Sequence, residues 1–132
     1  MQDPDAILAR VLAQFPAYPR EAYGLVFEGL KWFQDHSEVR RHVSAGELYE
    51  AMARASVEFW GNMAGMVVAE TLNIKSGADV KFLVETMINN TLLTRGEDDR
   101  MEAFDFIKIS FQDACDRAFA QSLEENPPQI LV

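Results

Sequence analysis

Ser44 and Glu47 stand in S-x-x-E spacing at the head of a run in which Leu48, Met52, Ala55, Phe59 and Trp60 recur at helical intervals. That spacing is a capping box, in which the serine hydroxyl accepts from the amide three residues on and the glutamate reaches back to the serine amide. Val43 before the cap and Leu48 beyond it are placed as a hydrophobic staple. The box constrains the chain strongly, because it sets where a helix begins as well as which face it buries. A nucleophilic role for Ser44 would need a base within hydrogen-bond reach and an oxyanion site, and no neighbouring residue supplies either. The cap is therefore the preferred reading. Arg40, Arg41 and His42, three potential cations, precede the helix on its positive end, where the dipole disfavours them. A buried carboxylate partner is expected to compensate, with Glu21, Glu28 and Glu50 as candidates.

The same periodicity organises most of the chain. Asp3 and Pro4 form an N-cap with proline at the first helical position, and Ile7, Leu8, Val11, Leu12 and Phe15 follow until Pro16 stops the segment. A second helix is expected from about Arg20 to Gln34, with Tyr23, Val26, Phe27, Leu30 and Phe33 inward. Gly61 followed by Asn62 ends the helix that Ser44 starts, and a short apolar helix runs from Met63 to about Leu72. Ser76 and Asp79 form a second cap, followed by Val80, Leu83, Val84, Met87 and Ile88.

After Asn90 the pattern changes. Leu92 to Arg95 and the alternating Phe104 to Ile109 flank the polar turn Gly96 to Arg100, which predicts a short antiparallel β-hairpin near residues 92–109. A last helix is expected from Phe111 to about Leu123. The expected fold is mainly α: one domain, 1–123, of five to six helices, opened by a helical hairpin over 1–34. Residues 44–123 then follow the helix-helix-helix-hairpin-helix order of a winged helix, and 124–132 form a flexible tail.

With 132 residues, 48% of them hydrophobic, the chain can bury a core without disulfide or metal staples. Its one cysteine, Cys115, allows no intrachain disulfide and is expected in the core, which fits a reducing cytoplasm. The N-terminus lacks the charged start and apolar run of a secretion signal, and no stretch is long and apolar enough to span a bilayer. A net charge of −9 works against binding a phosphate backbone unless the bases are gathered on one face.

Few residues suggest chemistry. Glu97, Asp98, Asp99 and Glu102 could ligate a hard cation, but their spacing is not that of an EF-hand loop, and a solvated tip is the preferred reading. His36 and His42 lack the partners of a metal or catalytic motif. No cofactor is indicated, since the chain has no Walker, GxGxxG, GxSxG or paired CxxC pattern. Trp60, Met63 and Met66, with His42, are the candidates for an interaction surface, where Met and aromatic residues are enriched.

Arg41 to Leu48, "RHVSAGEL", resembles the R-H-V-S/T-G-Q-E-L opening of a small uncharacterised bacterial family known by a locus-tag name, the Minf family. Glu21 to Leu30, "EAYGLVFEGL", is similar to its E-A-Y-x-F-V-x-E-G-L, and Phe59 to Ala64 to its F-G-P-M-A with one residue inserted. Leu92, Leu93, Glu97 and Asp99 resemble its L-L-x-K-T-E-x-D, and Phe111 and Ala114 its closing segment. Ala45-Gly46, Leu72-Asn73-Ile74 and Val80-Lys81 depart from the G-Q, W-G-I and F-G found there. The resemblance implies a single mainly helical domain and transfers no activity, cofactor or catalytic residue.

Three function classes follow, in order of preference. The first is a non-enzymatic protein-interaction or oligomerisation module. The second is a winged-helix DNA binder that would use Lys75, Lys81, Asn89, Asn90, Arg95 and Arg100. The third is an enzyme with His42 and nearby acids in a pocket.

Overall fold

Asp3 caps the first helix, its side chain accepting from the Asp5 amide at 3.3 Å. The computed structural model describes residues 3–38, 43–96 and 100–127. Within them α1 spans Pro4–Gln14, α2 Arg20–His36 and α3 Ala45–Trp60. Helices α2 and α3 form the main packed pair, brought close by Gly29, where an added Cβ would lie 2.5 Å from the Met52 side chain.

Gly61 ends α3 at φ 56, ψ −131, a backbone conformation that L side chains rarely adopt. The chain then winds through a 3-10 turn at Gly61–Met63, the single α turn α4 at Ala64–Met66 and a π turn at Val67–Thr71. The wide π turn is closed by the Leu72 amide donating to the Val67 carbonyl five residues back at 3.0 Å, and the Ile74 amide donates to the Val68 carbonyl at 2.9 Å. Asn73 sits between them at φ 61, a left-handed position that asparagine tolerates better than most residues.

Helix α5 spans Gly77–Asn89 and ends in a Schellman motif, the Leu92 amide donating to Met87 at 2.8 Å and the Thr91 amide to Ile88 at 3.1 Å. After a 3-10 stretch at Met101–Phe106, Ser110 caps α6, Phe111–Glu125, by accepting from the Asp113 amide at 3.1 Å. Tyr23, Met52, Leu72, Ile74, Leu83, Met87 and Phe111 are fully buried in one continuous core to which every α-helix contributes, the short α4 turn through Ala64.

The expected β-hairpin is absent: no strand occurs among the described residues, and 101–106 is helical. Leu92 and Leu93 both spend their amides on the Met87 carbonyl and so cannot pair with a neighbouring strand. Across from them, Ala103 donates to Arg100 and Ile107 to Phe104 in tight local turns. The Phe111 amide goes to the Lys75 carbonyl at 2.9 Å, and the Ile109 carbonyl takes the Tyr49 hydroxyl at 2.9 Å. Backbone groups that a strand ladder would have satisfied are thus met by turns and tertiary contacts. The Phe104 carbonyl also packs directly on Gly77 at the start of α5, where any side chain would collide with it. Without a hairpin there is no wing, and the winged-helix order of the second half falls with it. Helix α6 carries Glu124 and Glu125, the residues expected to open the tail. No helix among the described residues is long and apolar enough to cross a membrane.

Candidate functional site

The start of α3 is built by the capping box. Glu47 N–H donates to Ser44 Oγ at 3.2 Å, and Ser44 N–H donates to Glu47 Oε1 at 3.1 Å. Ser44 is thereby an end-of-helix acceptor. Arg40, Arg41 and His42 lie outside the described residues, as do Glu97, Asp98 and Asp99. Of the expected carboxylate partners, Glu21 and Glu50 are exposed and Glu28 is half-buried.

Two depressions flank this helix start. One, about 280 Å³, lies between the end of α2 and α3 and is lined by Trp32, Phe33, His36, Glu47 and Glu50. His36 stacks on Trp32 with ring centroids 3.9 Å apart and planes 13° apart, and its Nδ1 sits 2.8 Å from the Trp32 carbonyl oxygen. Arg54 stands over the Trp32 ring at 5.7 Å and grips Glu125 with both terminal nitrogens, at 3.1 and 3.2 Å. This Trp-His pair one helical turn apart was signalled in the sequence only by its i, i+4 spacing.

The second depression, a half-open groove of about 380 Å³, lies between α3, the 107–109 segment and α6. Buried Tyr49 and Ala118 and half-buried Ile107, Ile109 and Ala114 form its apolar surface, and exposed Glu50 and Arg117 stand at its edges.

A third polar centre is structural. The Asp79 carboxylate receives the Tyr18 hydroxyl on one oxygen and the Lys75 and Ser76 amides, at 2.8 and 3.1 Å, on the other. Burial, reinforced by the Asp79 hydrogen bond and charge, pushes the Tyr18 phenol well above its ordinary range. Burial raises Tyr23 and Tyr49 as well. Cys115 is fully buried beside Ser56, and burial pushes its thiol up to about 12.

The other sequence candidates are dispersed. Among the described residues no group of three or more His, Cys, Asp or Glu could hold a metal ion, and Glu102 is exposed. Lys75 and Lys81 lie at the start of α5, with Lys81 Nζ 3.0 Å from Asp105. Asn89 and Asn90 lie at its far end, about 12 Å along the axis from Lys81 at roughly 1.5 Å per residue. Asn90 is turned back onto the Thr86 carbonyl at 2.8 Å, while Arg95 and Arg100 are exposed beyond the helix.

The apolar candidates do cluster along the chain. Met63 is 47% exposed and Met66 42%, on consecutive turns after the Gly61 break. Phe59, which the periodicity assigned to the core, is 57% exposed, and Trp60 is half-buried with its ring 5.6 Å from that of Phe59. Adjacent helical residues point about 100° apart, so Phe59 and Trp60 cannot both face one core. Phe27, also assigned inward, is 41% exposed, and Phe106 reaches 74%.

Compared with known protein families, curated proteins and solved structures, the chain matches none. The likeness to the Minf family accordingly rests on the quoted motifs alone.

Proposed function

We propose that this chain is a non-enzymatic protein-interaction module whose partner docks on Phe59, Met63 and Met66. The observation that carries this reading is the exposure of all three large apolar side chains within eight residues, while the core beneath is already closed. Methionine is unbranched and polarizable, so it adapts to a partner's surface, and aromatic residues supply large rigid contact area. The α3 end holds Phe59 in place, and the Gly61 turn brings Met63 and Met66 after it on a second helical segment. A net charge of −9 favours a protein partner over a nucleic acid. A lone cysteine, buried in the core, is compatible with a reducing cytoplasm.

The test is site-specific photo-crosslinking from position 63 in living cells. One discrete crosslinked species is expected, with its yield falling several-fold when Phe59→Ser is added to a chain whose circular dichroism is unchanged. A yield indifferent to Phe59→Ser, or no adduct at all, overturns the reading.

A further inference from the structure

Among the described residues, Phe106 is the most exposed of the large hydrophobic side chains, at 74%. It closes the Met101–Phe106 turn, whose form is held by the Ala103 and Ile107 amides bonding back at 3.0 and 3.3 Å. The next residue, Ile107, already lines the groove between α3 and α6. The exposed ring is therefore carried by the same stretch of backbone that borders the apolar groove. One chain cannot bring them together, because Phe106 and Ile107 are consecutive in a fixed turn. Two copies related by a two-fold axis can, each ring entering the other's groove, since a two-fold contact uses the same patch twice.

The charges around the two features match. Glu50 and Arg117 border the groove, and neither forms an ion pair among the described residues. Asp105 and Lys108 flank Phe106, so the projection also carries one acid and one base. Lys108 is exposed and unpaired among the described residues, whereas Asp105 is shared with Lys81 at 3.0 Å. On a chain of net charge −9, the exposed base Lys108 beside Phe106 and the exposed acid Glu50 at the groove edge are of opposite sign, so two copies meeting here bring unlike charges together. A small molecule fits the groove less well, because ligand sites bury most of their occupant and this depression is half-open.

We infer that the groove lined by Tyr49, Ile107, Ile109, Ala114 and Ala118 is the receiving half of a two-fold interface, and that its occupant is Phe106 of a second copy of this chain. Glu50 of each copy then meets Lys108 of the other. The interface is distinct from the Phe59 face.

Sedimentation velocity of the full chain over a wide concentration range tests this. A concentration-dependent dimer is expected, with Phe106→Ser weakening it by about tenfold or more, as loss of an aromatic anchor does. Because Phe106 is largely exposed, that variant should keep the wild-type circular dichroism and melting curve. Glu50→Lys and Lys108→Glu should each weaken the dimer, and the double exchange should restore it. Phe59→Ser should leave it intact, which separates this interface from the docking face proposed above. A chain that stays monomeric at the highest concentrations, a dimer indifferent to Phe106→Ser, or a double exchange that restores nothing overturns the inference.

Discussion

The Tyr18 hydroxyl donates to the Asp79 carboxylate across 61 residues of sequence, joining the α1–α2 connection to the first turn of α5. The same carboxylate holds the Lys75 and Ser76 amides, so one side chain both starts a helix and anchors a distant loop. A carboxylate at a helix N-terminus is also favoured by the dipole.

Asp79→Ala removes all of these bonds together. A loss of about 2 kcal/mol or more is expected, since charged hydrogen bonds contribute about 1.5–3 kcal/mol and helix caps about 1. Tyr18→Phe should cost less, because the amides keep their acceptor. In the double variant the two losses should not add, and urea denaturation of all three chains would show it.

All three tyrosines, Tyr18, Tyr23 and Tyr49, have phenols raised above their ordinary value, with burial as the largest cause in each. The unfolded chain ionises its phenols near pH 10 while the folded one still holds the protons, so above that pH the unfolded state binds fewer protons. The contribution is therefore fully present below about pH 10 and is lost as pH rises towards the folded values. Phenolate absorbance should appear together with loss of the far-ultraviolet helix signal. Free titration near pH 10 in a folded chain would contradict the burial of these rings.

Thr91 occupies the left-handed position of the motif that closes α5, at φ 61. A β-branched residue is disfavoured there, and glycine is the usual occupant. Thr91→Gly is expected to stabilise the protein by about 0.5–1 kcal/mol, the relief of strain exceeding the added freedom of the unfolded chain. Thr91→Val should destabilise it, and thermal melts of the pair would give the sign.

Cys115 lies at zero exposure with its thiol pushed up to about 12 by burial, so the reactive thiolate is scarce at neutral pH. Modification by an aromatic disulfide reagent should be slow in buffer and should rise with denaturant in step with unfolding. Rapid stoichiometric reaction of the folded chain would mean that the α6 face opens locally.

Much of this architecture is written in short-range chemistry. Asp3-Pro4, Ser44-Ala45-Gly46-Glu47 and Gly61 act within one helical turn, so the beginnings of α1 and α3 and the end of α3 could be read from adjacent residues. Residues 92–109 could not be read that way. Their alternation suits a strand, but a strand needs a partner, and the Leu92 and Leu93 amides are taken by the end of α5. Phe104 supplies a carbonyl to the tight approach at Gly77, which no local pattern announces. The groove lined by Tyr49, Ile109 and Ala118 likewise joins residues some 60 positions apart. Local hydrogen-bonding chemistry thus dictated which segments coil and where they start. Only packing, with its demand that every buried amide find an acceptor, decided that the expected hairpin became a 3-10 turn and that Phe59 and Phe106 were left to solvent.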